Sequence, residues 1–133
     1  MPHIWRWDDL EAEDHGRPSS RCRIKAVTGD ALQLIRAEFE PTGEYEMHAH
    51  PHEQFGLMIQ GRMRLLVGDE EREIGPGEVW HVPPNVVHGG TIVGNEPVVF
   101  IDVFHPVRED VLEEMRRKRR ERLGRGGPQR RDG

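Results

Sequence analysis

From Cys22 to His105 apolar residues come in short runs, many alternating with polar ones, and turn-forming residues break the runs about every 8 to 12 positions. Alternation at period two is what a strand with one buried face requires. The segments RIKAVT, ALQLIRAEF, EYEMHAH, EQFGLMIQ, RMRLLVG, REIG, EVWHVP, GTIVG and VVFIDVF are therefore predicted as strands. Turns are predicted at Gly29-Asp30, Pro41-Thr42-Gly43, Gly68-Asp69, Gly75-Pro76-Gly77, Pro83-Pro84-Asn85 and Gly94-Asn95. The pattern is that of an all-β sandwich or barrel. After Pro106 it changes to REDVLEEMRRKRRERL, with acids early and bases late, as suits a helix dipole and i, i+4 charge pairs. A short C-terminal helix of about 14 residues is expected there. The chain thus divides into an N-terminal extension 1–20, a β-barrel 21–107, a helix 108–123 and an unstructured basic tail 124–133. Trp5 and Trp7 alternate as on a strand, which a second copy of the chain could exchange.

A chain of 133 residues has the length of one domain. With 35% hydrophobic and 32% charged residues it reads as a polar globular protein rather than a disordered one. No apolar run approaches the roughly 18 residues needed to span a bilayer. The acidic N-terminus does not read as a secretory signal, so a cytoplasmic protein is expected. The single cysteine, Cys22, excludes an intrachain disulfide and a cysteine-built metal site. Residues 115–133 carry nine Lys or Arg against two acids, while residues 1–114 carry ten against twenty-two. The simpler account of that basic stretch is a helix end and a tail, so neither nucleic acid nor a membrane is an expected partner.

Eight histidines are present, and their placement matters more than their number. His48 and His50 lie on one face of an extended strand, and Gln54, four residues on, shares that parity and can join them. His88 ends a separate strand after the stiff turn PPNVV, and barrel closure could bring it opposite the pair. Neutral imidazoles with an amide oxygen suit one divalent ion such as Zn²⁺, Ni²⁺, Fe²⁺ or Mn²⁺.

The stretches GEYEMHAHPHEQFGLMIQG and GEVWHVPPNVVH resemble the two signature motifs of the cupin superfamily, with fifteen residues between them. The resemblance implies a cupin double-stranded β-helix (jelly-roll) barrel with metal ligands His48, His50, Gln54 and His88. Asn85 stands where a glycine is usual, and asparagine tolerates the left-handed conformation. Gln54 takes the place of the usual glutamate, so the ion would keep its full charge and act as a Lewis acid toward anionic substrates. That departure disfavours the two-histidine-one-carboxylate iron oxygenases, although three-histidine oxygen-dependent dioxygenases exist in the superfamily.

HPHEQ, VPPNVVHGG and VVFIDVFHPVRED together are similar to the small KdgF-type cupins, which ketonise 4,5-unsaturated uronates from pectin and alginate. The resemblance implies pocket roles for Asp102, Phe104 and Arg108. The residues agree, because Asp102 is a lone acid in an otherwise apolar run and shares a face with Phe100 and Phe104. Asp102 could move a proton, Phe104 form an apolar wall, and Arg108 fork a substrate carboxylate. The plainer alternatives are an Asp102–Arg108 ion pair and an Arg108 that faces water at the helix start. Met58, Met63 and Trp80 are further candidates for contact with a small-molecule substrate. Their bulk would better suit the metal-dependent polyketide cyclases, which look similar at this level, and charged or aromatic cavity walls would separate the two. A non-catalytic ligand-binding or sensor cupin is a third reading. His52 could be a fifth ligand, a proton carrier or a surface residue, while His81 should lie outside the barrel and His3, His15 and His105 have no evident partner. The apolar second face, with Phe55, Leu57 and Ile59 beside Val99, Ile101 and Val103, could pack on the other sheet or form a homodimer contact.

Overall fold

The computed structural model describes residues 2–15 and 21–132, with side chains as far as Gly124. Ten strands occur among them: β1 (Glu13–Asp14), β2 (Cys22–Thr28), β3 (Gln33–Phe39), β4 (Glu44–His48), β5 (Glu53–Gln60), β6 (Arg62–Val67), β7 (Glu70–Ile74), β8 (Val79–Val82), β9 (His88–Val93) and β10 (Val98–His105). All pairings are antiparallel. They build a six-stranded sheet in the order β1-β2-β3-β10-β5-β8 and a four-stranded sheet in the order β4-β9-β6-β7. This is the jelly-roll arrangement that the cupin resemblance implied, with one helix, α1 (Glu109–Asp132), after the last strand.

The inner faces follow from the alternation. Gln54, Gly56 and Met58 of β5, Met63 and Leu65 of β6, and Phe100, Asp102 and Phe104 of β10 are buried. Their partners in the core include Ile35, Phe39, Ile74, Trp80, Val82 and Ile92. Gly56 sits opposite Trp80 in the β5–β8 register, and a Cβ there would come within 2.1 Å of the indole ring. The missing side chain thus makes room for Trp80, whose ring meets Phe100 edge-on at 5.3 Å. Gly61 turns the chain from β5 to β6 with φ 85°, a left-handed conformation that glycine adopts without strain. Asn85, at φ 68°, takes the same region with a side chain, as expected of it.

The outer face of the six-stranded sheet differs. Phe55, Leu57, Ile59, Leu34 and Val79 are exposed, so Phe55, Leu57 and Ile59 do not pack on the other sheet.

Four sequence-based expectations change. His50 lies beyond the end of β4, so the strand expected to run through His50 stops at His48, and the chain turns at Pro51 before Gln54 on β5. Trp7 begins a short 3-10 turn, Trp7–Asp9, closed by the Leu10 amide donating to the Trp7 carbonyl, rather than a strand. Among the described residues of this part of the chain, Glu13–Asp14 is the stretch that forms a strand, and it pairs with β2 of the same chain. His15 has a partner after all, Glu114 on α1. Helix α1 runs 24 residues, past the expected end at 123. Up to Gly124 its Arg- and Glu-rich sequence favours helix, and Val111 is buried against the barrel. Nothing described accounts for its continuation through Pro128.

The basic helix meets an acidic counterpart in the N-terminal segment. Arg122 pairs with Glu11 and Glu13, Arg119 pairs with Glu11, and Lys118 donates to the Asp14 carbonyl. These mostly exposed pairs contribute little each, yet together they lay the segment along α1. Among the described residues no helix is long and apolar enough to cross a membrane.

Gly56→Ala should lower the unfolding free energy by about 1–3 kcal/mol, because the new methyl overlaps the indole of a close-packed core. Urea denaturation measures this, and an unchanged midpoint would contradict the packing described.

Candidate metal centre

Two sheets supply the donors. His48 and His88 face each other in register across the β4–β9 pair of the four-stranded sheet. Gln54 lies on the inner face of β5 in the six-stranded sheet, and His50 comes from the short connection between them. That connection is fixed from outside, because the Asn85 amide donates to the His50 carbonyl at 2.7 Å. The turn before His88 is thereby tied to the loop that carries His50.

Each imidazole is oriented in the same way. Nδ1 of His48 donates to the Glu46 carbonyl at 2.7 Å, that of His50 to His52 at 3.1 Å, and that of His88 to Val86 at 2.9 Å. A ring that donates from Nδ1 carries its lone pair on Nε2. One ligand atom from each of the three rings lies within 4.8 Å of the others. The His88 Nε2 is buried with no hydrogen-bond partner. The Gln54 amide is oriented too, since its Nε2 donates to Asp102 Oδ1 at 2.9 Å. Its Oε1 therefore faces the His50 Nε2, 3.0 Å away. In the tautomer that donates from Nδ1 both atoms are acceptors, and a cation between them would relieve their repulsion. The donor set therefore fits a divalent ion, and the three histidines could bind one. The expected fourth donor, Gln54, stands where it could complete the set.

Burial governs the electrostatics. His50 and His88 are held down to about 4, first by desolvation and then by nearby positive charge, so both stay neutral and able to ligate. Desolvation acts oppositely on Asp102 and pushes its carboxyl up to about 7, although the Gln54 hydrogen bond and the Arg108 charge pull it down. Asp102 and Arg108 do not form the direct pair considered from sequence. Arg108 instead forks Asp110 through Nε and Nη2 at 3.0 and 2.8 Å, and that carboxylate is held down to about 2. The Arg108 guanidinium lies over the Phe104 ring, 5.2 Å from its centroid, and its side chain is only 13% exposed, so it does not face water.

Of the candidate donors, His48 opens toward α1. A small cavity of about 50 Å³ is lined by Tyr45, His48, Phe100, Asp102, Phe104 and Arg108, among others. A wider cleft of about 390 Å³ is lined by His15, Glu46, His48, Arg108, Asp110 and Glu114, among others. Met58 and Met63 lie in the packed core, and Trp80 lies across Gly56; none of the three lines either space. His52 is partly buried with its Nδ1 unpartnered, and its ring lies 5.5 Å from that of His50. His81 is on the outside, paired with Glu53.

Three residues of the site escaped the sequence reading. Gln33, buried on β3, accepts the Arg108 backbone N–H at 3.0 Å and fixes the start of α1. Asp110 holds the guanidinium. Tyr45 touches two of the ligand rings, at 5.1 Å from His48 and 6.0 Å from His88, and burial raises its phenol above the usual range. The motif RED hints at Asp110, but no local pattern marks Gln33 or Tyr45.

Residues 35–104, more than half of the chain, match the Cupin domain family (Cupin_2), and the protein belongs to it. Over 82 residues the chain is 32% identical to the H2HPP isomerase of Bacillus subtilis, a match covering 61% of this chain. It spans only 34% of that relative's length. Among solved structures, an RmlC-like cupin from Shewanella frigidimarina NCIMB 400 superposes with a TM-score of 0.72 at 26% identity, covering 84% of this chain and 96% of the other. KdgF from Halomonas sp. superposes with a TM-score of 0.71 at 24% identity, covering 81% and 98%. At that identity the second likeness shows the fold alone.

Purified protein loaded with zinc should hold one ion per chain by elemental analysis, and His88→Ala should lower its affinity at least about tenfold. Full occupancy in that variant would contradict the arrangement.

Proposed function

We propose that this cupin is a metal-dependent enzyme of non-redox keto–enol chemistry, acting on a small carbonyl compound or sugar acid that bears a carboxylate. Ketonisation of 4,5-unsaturated uronates is the specific reaction. The observation that supports it most is Asp102, a buried carboxyl near pH 7 in its proton affinity, one hydrogen bond from the candidate metal donor Gln54. A group poised there can accept a proton and return it at neutral pH.

His48, His50, His88 and Gln54 would hold the ion, which when bound supplies Lewis-acid stabilisation of a developing oxyanion. Zn²⁺, Ni²⁺, Fe²⁺ and Mn²⁺ all suit the donors. Ketonisation moves a proton from oxygen to carbon with no change of oxidation state. Asp102 is placed to carry that proton. Arg108 keeps Nη1 hydrogens clear of Asp110 and can receive the substrate carboxylate, while Phe104 excludes water beneath it. The wider cleft supports this choice through its charged lining of Glu46, Arg108, Asp110 and Glu114, whereas the aromatic walls of the small cavity are what the polyketide reading would use. The H2HPP isomerase relative is also named for a reaction without net oxidation, whereas oxygen-dependent dioxygenase chemistry would need a co-substrate. A binding-only sensor would show affinity without turnover.

A homodimer belongs to the same reading. The exposed apolar side chains on β3, β5 and β8 form a contiguous outer face on a chain whose mean hydropathy is −0.75. A second copy of that face is the partner that would cover it.

With Asp102→Asn, turnover of unsaturated galacturonate, followed as loss of its ultraviolet absorbance, should fall about 10²- to 10⁴-fold while bound metal stays constant. A rate equal to wild type would remove Asp102 from the mechanism. Sedimentation should give a dimer that Leu57→Glu converts to monomer, and a monomeric wild type would reject the interface.

A further inference from the structure

Tyr45 is the one phenol in the chain, and it stands on the inner side of β4 three residues before His48. Its ring is clamped by Phe39 at 5.6 Å and Phe100 at 5.3 Å, in addition to the contacts with His48 and His88. The clamp fixes where the hydroxyl can point. Tyr45 lines both the small cavity beside Asp102, Phe104 and Arg108 and the wider cleft that shares His48 and Arg108 with it.

The Gln54 side chain and the Arg108 charge both favour negative charge on the phenol oxygen, against the rise that burial causes. Gln54 Oε1 already faces His50, and one of the two Nε2 hydrogens already goes to Asp102. The second Nε2 hydrogen is uncommitted and can point toward the phenol oxygen, which would then act as acceptor there. Its own proton remains for a partner in the cavity. An oxygen that gains negative charge there would meet a preoriented donor, and a donor that need not move at the moment of reaction is the most effective kind.

We propose that the Tyr45 hydroxyl is a catalytic hydrogen-bond donor, contacting the oxyanion of an enol-type substrate held between His48 and Arg108. The inference rests on the keto–enol reading and adds a third protein group to Asp102 and Arg108. It involves no proton transfer to or from the phenol.

Tyr45→Phe tests it, since the ring and its packing are kept. The probe is acetohydroxamate, a bidentate oxygen anion, titrated calorimetrically into zinc-loaded wild type and variant, with zinc content measured in both. The variant should keep its zinc and bind acetohydroxamate about ten- to a hundredfold more weakly, the size expected for one hydrogen bond to a charged oxygen. Equal affinities would overturn the proposal. So would loss of zinc from the variant, which would make Tyr45 a support for Gln54, or a wild type that does not bind the probe. If wild type binds the probe yet never turns over unsaturated galacturonate, the substrate assignment falls and the role of Tyr45 is still decided by the titration.

Discussion

Three imidazoles are held with their lone pairs converging, and each is held by the same small device: an Nδ1–H donated to a carbonyl two residues away. That device converts flexible rings into fixed donors without any other side chain. It also leaves the buried Nε2 of His88 without a hydrogen-bond partner, with Gln54 Oε1 drawn in at 3.0 Å from His50. Such an arrangement is unfavourable by itself, since buried acceptors without donors lose their hydration. A cation reverses the sign. Because His48 and His88 belong to one sheet and Gln54 to the other, that cation would also join the two layers.

The same scarcity of water sets the proton affinities around the centre. It keeps His50 and His88 neutral and raises Asp102 to about 7, opposite shifts with one cause. Arg108 supplies the positive charge at the mouth. Its position depends on three unlike contacts: the Phe104 face, the Asp110 carboxylate and the Gln33 side chain that fixes its backbone. A strand end, a helix start and a residue 75 positions away in sequence therefore share in placing one guanidinium.

The strands were legible because each buries one face and so repeats at period two, and the site donors were legible because two motifs carry them. What escaped depends on contacts between distant segments. His50 looked like a strand residue, since H-x-H has strand parity, yet Pro51 turns the chain and places Gln54 in the opposite sheet. The Asp102–Arg108 pair was a reasonable guess from proximity in sequence. Gln54 and Asp110 take the two partners instead. His15 and Glu114 meet only because α1 folds back over β1, and a tyrosine between two glutamates carries no local sign that it faces ligand rings.

The central claim is that donors from both sheets hold one cation. Anomalous diffraction at the zinc edge from zinc-loaded crystals tests it most directly. A single peak within bonding distance of Nε2 of His48, His50 and His88 and of Oε1 of Gln54 is the predicted result. A peak elsewhere, or one that omits Gln54 or the histidines of the four-stranded sheet, would contradict it.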